Sequence, residues 1–320
     1  MPKLFRQVTR PFVLLAVVAS LALAACGDEG GSAASSADGA KSADRKVRLK
    51  FSYMAGEKTS IGQLWTWWLD EVEKRSNGTI TFERFWDATL LKATDTVEGL
   101  LDGRADVAQV LPTVYPKRFP LSSIGELPFE SSNASAVSAA LGRLSSEDTA
   151  LRKEWTSQGI LPLAWSIGAS SALATKKPIR AASDLKGMRI RANDRGGKVL
   201  GAVGASLVNI ELADIYGSME RGLIDGIYGI PFSFVGPLKY PEIAKHFTDL
   251  GIGVSTVNGL AMSRARWNSL SPEQQRIITE VSAEIPAKVG EFEAQFDEAS
   301  CKIVKDAGAE LHVLSEEERR

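Results

Sequence analysis

The sequence has few residues of the types that build metal sites and nucleophilic sites. Histidine occurs twice, at His246 and His312, and cysteine twice, at Cys26 and Cys301. The histidines are not at ligand spacing with each other or with Cys301, so no metal is predicted. The chain also lacks a G-x-S-x-G nucleophile motif, a phosphate-binding loop and a G-x-G-x-x-G turn after a strand. These absences argue against an enzyme, and no cofactor is predicted.

An excess of charge of one sign is also missing. The formal net charge is -1 and no basic stripe runs along the chain, so nucleic acid is not a predicted partner. Hydrophobic residues make up 44% and charged residues 24%, which is typical of a globular protein. A chain of 320 residues is too long for one ordinary core and predicts two domains.

The apolar run from Phe12 to Leu23 is too short to span a bilayer comfortably. Lys3, Arg6 and Arg10 precede this run, and small residues follow it. A positive segment, a short apolar segment and a small-residue cleavage site predict an export signal over residues 1–25.

Leu23-Ala24-Ala25-Cys26 resembles the bacterial lipobox, in which the cysteine becomes a lipid-bearing N-terminus. The alternative is a cysteine that follows an ordinary cleavage site. Residues 26–46 are rich in Gly, Ala, Ser, Asp and Lys and predict a flexible tether. The protein is therefore expected in the periplasm or on the outer face of the cytoplasmic membrane, anchored through Cys26. Cys301 lies in a helical pattern, and we expect a small buried side chain there.

From Val47 onward, segments with strand and helix periodicity alternate, which predicts a mostly parallel sheet with helices on its faces. The predicted strands are Val47–Phe51, Thr79–Phe85, Ala105–Leu111, Leu161–Trp165, Ala172–Thr175, Met188–Ala192 and Gly226–Ile230. The predicted helices of this part are one with an apolar stripe from Ile61 to Val72 that is stopped by Asn77-Gly78, and Thr94–Leu101, Gly197–Val203 and Ala213–Arg221.

The last third of the chain reads as helical. Ser271-Pro272-Glu273-Gln274 has the pattern of a helix start, and an apolar stripe follows from Ile278 to Ile303. Pro286 lies inside this stripe and predicts a kink. Ser315-Glu316-Glu317-Glu318 has a second capping pattern, which predicts a helix that continues beyond Arg320.

Several segments, in order, resemble the substrate-binding proteins of tripartite ATP-independent periplasmic (TRAP) transporters, the DctP family. Each segment alone is a weak signal, but the ordered set spans most of the chain after the tether. The segments are Gly103-Arg104-Ala105-Asp106-Val107, Tyr115 to Leu121 with Glu126-Leu127-Pro128-Phe129, Leu185-Lys186-Gly187-Met188-Arg189-Ile190-Arg191, Gly204-Ala205-Ser206, and Asp214 to Gly226.

The resemblance implies an α/β, two-lobed periplasmic-binding-protein-like fold with hinge strands and a long kinked C-terminal helix. Lobe I is predicted over residues 47–167 plus 255–290, and lobe II over residues 168–254 plus 291–320. The implied partners are a small organic acid and the membrane permease subunits of the transporter, which use an ion gradient, so no ATP site is expected. The lipid anchor would supply the contact with the membrane.

In that family, the last Arg of the strand that matches Leu185 to Arg191 binds the carboxylate of the ligand, and Arg191 stands in that place. A guanidinium pairs two N–H donors with two carboxylate oxygens, which a lysine cannot reproduce. From residue type alone, an internal ion pair or a solvent-facing side chain would be the better interpretation, and the motif reverses that preference.

Other polar ligand-binding positions of the family's acid-sugar pattern fall on Ser171, Gly229, Met54 and Leu111. These replacements predict one anion-binding residue in an otherwise apolar cleft, and therefore a monocarboxylate with an apolar or aromatic body. Aromatic side chains near strand ends are candidate walls, although packing in the core is the slightly better interpretation of each one alone. They are Tyr53, Trp86, Tyr115, Tyr228 and Phe232.

Two other classes of protein remain open at this stage. A binding protein of an ATP-driven importer would share the two-lobed plan. An envelope enzyme or a structural lipoprotein would differ by turnover of a substrate or by the lack of a cleft that closes.

Overall fold

The computed structural model describes residues 45–192, 195–315 and 317. The predicted export signal, Cys26 and residues 26–44 of the predicted tether lie outside the described residues. Glu316 and Glu318 of the capping pattern that begins at Ser315 also lie outside them. None of the described helices is long and apolar enough to cross a membrane.

The strands of the described chain form one mixed sheet. In chain order they are β1 (Val47–Ser52), β2 (Ile80–Phe85), β3 (Val107–Val110), β4 (Ile160–Thr175), β5 (Arg189–Arg191), β6 (Ser206–Val208), β7 (Gly226–Ile227), β8 (His246–Ser263) and β9 (Glu310–Val313). The order across the sheet is β2-β1-β3-β8-β4-β7-β5-β6, and β9 pairs with β8.

Helices cover this sheet and connect its strands. In chain order they are α1 (Ser60–Arg75), α2 (Thr96–Leu101), α3 (Ala134–Ser146), α4 (Ala150–Thr156), α5 (Arg195–Ala202), α6 (Ile215–Glu220), α7 (Tyr240–Ile243), α8 (Arg264–Asn268), α9 (Pro272–Ala283) and α10 (Ile285–Asp306). Short 3₁₀ turns precede or follow several of them.

The sheet has two parallel parts. β1 pairs in parallel with β2 and β3, and β5 pairs in parallel with β6 and β7. The buried hydrophobic residues form two clusters, a large one that extends from α1 and the first part into α6 and β7 of the second, and a smaller one in the second part that includes Ile190, Leu200 and Leu250. The predicted α/β fold with two lobes is confirmed.

The two parts are joined within the sheet by β4 and β8. These strands pair antiparallel from Ile160–Ser263 at one end to Thr175–His246 at the other. The register shifts where Ser170 pairs with Val254 but Ala172 pairs with Asp249. In the extra β8 segment between these pairs, Gly251 and Gly253 have φ of 68° and 105°, which side chains rarely tolerate. The two strands predicted between residues 161 and 175 are thus one continuous strand with a bulge.

Helix α1 follows its predicted apolar stripe. Thr59 caps its first turn by accepting a hydrogen bond from Gly62 N–H, and the stripe is fully buried. Among the stripe's side chains, Trp65 and Trp68 each donate their indole N–H to a buried side chain, Gln109 and Ser282 respectively. Because a buried indole N–H needs an acceptor, these two bonds fix the helix to β3 and α9.

The predicted kinked helix is two helices that meet at Glu284. α9 begins with Ser271 as N-cap and Gln274 completing the capping box, as predicted. Pro286 is the second residue of α10, where its missing N–H costs nothing, so the chain breaks two residues before the proline. α10 then packs against α1 and α3 and against the 3₁₀ turn at Phe232–Phe234.

Candidate ligand-binding site

A cavity of about 340 Å³ is lined by residues of both parts of the sheet. Tyr53, Met54 and Leu111 come from the segments after β1 and β3, whereas Arg191 and Gly229 come from the end of β5 and the loop after β7. Five of the predicted ligand-binding residues therefore share one cavity. Whether they bind a ligand stays a prediction.

Arg191 is the last residue of β5, and its side chain is only 4% exposed. Its Nε donates to the carbonyl oxygen of Ile210 at 3.2 Å, and its Nη1 donates to the carbonyl oxygen of Tyr228 at 3.3 Å. These carbonyls follow β6 and β7, the two strands that flank β5. The loops beyond neighbouring strands therefore hold the guanidinium at the edge of the cavity.

Tyr53 lines the cavity on the side of the first part of the sheet. Its side chain is 1% exposed, and burial raises the pKa of its hydroxyl well above the ordinary value. The nearby carboxyls of Glu293 and Asp87 raise this pKa further. The hydroxyl is therefore neutral, and this wall does not repel an anion.

Polar groups that the sequence did not point to line the same cavity. Gln109 lies in β3, and Thr256 and Asn258 lie in the neighbouring strand β8. Asn258 Nδ2 donates to the carbonyl oxygen of Ser166 and to Thr256 Oγ1, each at 3.3 Å. The prediction of an otherwise apolar lining is thus wrong for this side of the cavity. A polar residue inside a buried strand was the available signal for Gln109.

The predicted aromatic walls other than Tyr53 lie outside the cavity lining. Trp86 packs edge-on against Phe51 and Tyr53, with ring centroids 5.2 and 6.0 Å apart. Tyr115 donates its hydroxyl to the carbonyl oxygen of Ala93 at 2.9 Å. Trp86 and Tyr115 thus contact the lining residues Tyr53 and Ala93 but do not line the cavity themselves.

Tyr228, Phe232 and Ser171 are also buried away from the lining. Tyr228 is 1% exposed in the smaller core, and its carbonyl oxygen accepts a hydrogen bond from Arg191 Nη1. Phe232 belongs to the larger core. Ser171 is buried at the register shift in β4, and its Oγ has no hydrogen-bond partner among the described residues.

A buried carboxyl lies behind the cavity on α10. Glu293 accepts hydrogen bonds from Ser60 Oγ at 2.6 Å, from Ser233 Oγ at 2.9 Å and from the Ala169 N–H at 3.4 Å. These donors belong to α1, to the 3₁₀ turn after β7 and to β4. Burial raises the pKa of Glu293. One turn later, burial and then the charge of Glu293 raise the pKa of Asp297 to about 7.

A second cavity of about 440 Å³ adjoins the first and shares Met54 and Glu211 with it. Tyr240 lines this second cavity, and burial raises the pKa of its hydroxyl well above the ordinary value, an effect that the charge of Arg191 opposes. Within the described ranges, no cluster of three or more His, Cys, Asp or Glu is placed to hold a metal ion. Cys301 is half-buried against the larger core.

Two lobes on a shared pair of strands, with a ligand-sized cavity between them and a buried guanidinium at its edge, define a solute-binding protein. The family follows from the sequence of residues 51–320, which matches bacterial extracellular solute-binding protein family 7, DctP. The chain belongs to this family and is an extracytoplasmic solute-binding protein of the TRAP type. The alternative of an ATP-driven importer is therefore set aside.

Related proteins, among them two of known structure, are similar to this chain over most of their length. A solute-binding protein from Albidiferax ferrireducens is 28% identical over 250 residues, which cover 77% of this chain and 73% of that protein. A TRAP solute-binding protein from Rhodoferax ferrireducens, solved with copurified benzoate, has a TM-score of 0.78 at 27% identity and 86% coverage of both chains. A marine metagenome protein described as specific for aromatic acid ligands, solved with metahydroxyphenylacetate, has a TM-score of 0.78 at 27% identity, covering 85% of this chain and 87% of that chain. The family and these neighbours are solute-binding proteins rather than enzymes.

Proposed function

We propose that this protein captures a small monocarboxylic acid with an apolar or aromatic body, and that Arg191 binds the carboxylate. The observation that carries the proposal is the guanidinium of Arg191, buried at the edge of a cavity that residues of both lobes line. A guanidinium at the edge of a cavity favours an anionic ligand, because its planar fork can pair two N–H donors with two carboxylate oxygens.

The anchoring of Arg191 supports its role as a clamp. The carbonyl oxygens of Ile210 and Tyr228 orient the guanidinium before a ligand arrives, so little of the binding free energy is spent on ordering it. A charge-assisted hydrogen bond contributes about 1.5–3 kcal/mol, which corresponds to roughly 10- to 100-fold in affinity.

The apolar part of the lining supports an apolar body. Met54, Leu111, Ile230, Pro231 and Phe234 contribute carbon surface to the cavity, apart from the polar side at Gln109, Thr256 and Asn258. The related structures solved with benzoate and with metahydroxyphenylacetate contain aromatic monocarboxylates, in agreement with this lining. Small dicarboxylates and sugar acids would place charge or several hydroxyls against these side chains, which costs free energy.

Closure of the lobes is the proposed mechanism of capture. We retain the predicted boundaries, with lobe I at residues 47–167 plus 255–290 and lobe II at residues 168–254 plus 291–320. A ligand that touches Tyr53 of lobe I and Arg191 of lobe II together binds the closed form better than the open form, and this difference drives closure. The closed protein would dock on the permease subunits of the transporter.

Attachment to the membrane through Cys26 is part of the proposal. Its support is the lipobox-like Leu23-Ala24-Ala25-Cys26 and the tether-like composition that follows. Mass spectrometry of the protein purified from its host membrane tests this directly. A diacylglyceryl-modified Cys26 is expected, and an unmodified N-terminus would refute the anchor.

Calorimetric titration of benzoate into the wild type and into two Arg191 variants tests the clamp. Arg191→Ala should weaken binding by at least about 10- to 100-fold, and Arg191→Lys should restore little of it, because the planar fork is lost. Arg189→Lys is the matched control, since Arg189 lies in the same strand and pairs with Asp225 at 2.8 Å on the surface. Its affinity should stay at the wild-type value.

Wild-type affinity in Arg191→Ala would refute the clamp. The ligand class is tested by the shift in melting temperature with succinate, a hexuronate, benzoate and a branched-chain acid. Stabilisation by the first two that exceeds that by the last two would reject the apolar monocarboxylate.

A further inference from the structure

A buried amide in the wall of the ligand cavity has one donor group without a protein acceptor. Gln109 lies in β3, is 2% exposed and lines the cavity. Its Nε2 is buried and has no hydrogen-bond partner among the described residues. Buried polar groups are nearly always paired, so an unpaired amide beside a cavity calls for a partner from within that cavity.

The orientation of this amide is fixed by a neighbouring tryptophan. The indole Nε1 of Trp65 donates to Gln109 Oε1 at 2.6 Å. An indole N–H can only donate, so the oxygen of the amide must face Trp65 and the NH₂ group must point the other way. Trp65 is itself fully buried in the stripe of α1, which prevents the pair from rearranging.

The other amide on this wall does not supply a free donor. Asn258 uses its Nδ2 for the Ser166 carbonyl and for Thr256 Oγ1. β3 and β8 are paired, with Gln109 opposite Leu260, so Asn258 lies two residues along the adjacent strand. Gln109 therefore brings an uncommitted N–H donor to a wall where its neighbour's donors are already used.

Gln109 and Arg191 lie in opposite parts of the sheet. Gln109 belongs to β3 and Arg191 to β5, and three strands, β8, β4 and β7, separate them in the sheet order. An acid held by Arg191 would thus direct its carboxylate to one side of the cavity and present its body to the side of Gln109.

We propose that Gln109 Nε2 donates a hydrogen bond to a second oxygen of the bound acid, so that the substrate class is a monocarboxylate with a hydroxyl or carbonyl oxygen on its apolar body. This inference rests on the proposed function and narrows it. The second oxygen is uncharged, because one neutral donor does not compensate a buried carboxylate. An acid without it leaves the amide unpaired in the closed protein, and sites with such polar groups discriminate strongly against analogues that lack the partner.

Matched pairs of ligands isolate this hydrogen bond. The probes are the three hydroxybenzoates and the three methylbenzoates, because a hydroxyl and a methyl group at the same ring position have similar size. For at least one ring position, calorimetric titration of the wild type should show the hydroxy acid binding at least about 10-fold more tightly than the methyl acid. Equal affinities at all three positions would overturn the inference.

Two variants of Gln109 test whether its amide causes any preference for the hydroxy acids over the methyl acids. Gln109→Met removes the donor at similar volume, and Gln109→Glu keeps an oxygen for Trp65 while replacing the nitrogen. Each should reduce the hydroxyl-to-methyl affinity ratio to about one third of the wild-type ratio or less, while the methylbenzoates still bind. An unchanged ratio in both variants would show that water or another group pairs with the hydroxyl, and would overturn the inference.

Failure of the proposed function gives a different result in the same titrations. If Arg191→Ala binds the aromatic acids as the wild type does, the clamp is wrong, and if the wild type binds none of them, the aromatic ligand class is wrong; in either case the assignment of Gln109 falls with it. If Arg191→Ala abolishes binding while the Gln109 variants keep the wild-type ratio, only the role of Gln109 is refuted.

Discussion

Replacement of Glu293 tests whether the buried carboxyl on α10 stabilises the junction of the two lobes. Three donors from α1, β4 and the 3₁₀ turn at Phe232–Phe234 converge on this carboxyl, which is 5% exposed. Glu293→Ala removes the acceptor of all three. Glu293→Gln keeps one acceptor oxygen at nearly the same volume and cannot ionise.

The size of the effect follows from the donors that stay unpaired. Ser60 and Ser233 are 2.8 Å apart and can bond to each other in the Ala variant. The Ala169 N–H and one hydroxyl hydrogen then lose their acceptor, and each unpaired buried donor costs about 1–3 kcal/mol. Because the Ala169 contact is long, at 3.4 Å, we expect Glu293→Ala to lower the free energy of unfolding by about 2–4 kcal/mol. Glu293→Gln should cost about 1 kcal/mol or less.

The effect of pH separates the two variants further. Burial raises the pKa of Glu293 above its value in the unfolded chain, so the native state holds this proton more tightly. The carboxyl's contribution to stability is full below the unfolded-state pKa and is lost as the pH rises through the raised pKa. Glu293→Gln should therefore gain stability relative to the wild type as the pH increases.

Urea unfolding followed by tryptophan fluorescence at pH 5 and pH 8 measures both effects. Glu298→Ala is the control, because Glu298 is exposed on the same helix, and it should change the free energy of unfolding by less than about 0.5 kcal/mol. The reasoning fails if Glu293→Ala is as stable as this control, or if Glu293→Gln loses as much as Glu293→Ala at pH 8.

Two further substitutions test neighbouring features. Since the pKa of Asp297 is raised to about 7, its contribution to stability should be lost as the pH rises from about 4 to 7, and Asp297→Asn should flatten that part of the urea-midpoint profile; an unchanged slope would contradict this. Ser171→Ala removes a buried hydroxyl that has no partner among the described residues, so stability should stay the same or rise by up to about 1 kcal/mol. Calorimetric affinity for the acid should also be unchanged, and a tenfold loss would place Ser171 in the site after all.

The periodic elements of the fold were predictable because one face of each is buried. The stripe of α1 and the capping box of α9 are local patterns, and the structure has both. β8 was missed because both of its faces are buried over most of its length, so apolar and polar residues do not alternate, and Gly251 and Gly253 interrupt it. α3 and α4 were also missed, since small residues make the stripe of α3 weak.

The site residues were predictable where they belong to, or align with, a sequence motif of the family. The strand that ends in Arg191 was recognised from consecutive residues, and Gly229, Met54 and Leu111 follow strand ends that could be placed by alignment with the family pattern. Asn258 could not be found, because it lies in the unpredicted strand β8. Gln109 was passed over because the direction of an amide depends on a tertiary contact, the hydrogen bond from Trp65, that no local pattern contains.

The pairing of β4 with β8 has a consequence for the entropy of closure. The two strands are hydrogen-bonded to each other on both sides of the shift at Ser170 and Ala172, and α10 packs along both lobes. Because the paired parts of the two strands must move together, we expect the lobes to rotate about one axis rather than three. If the lobes of the empty protein have little freedom to reorient, closure costs little conformational entropy. A larger share of the free energy of the contacts with the acid then contributes to affinity.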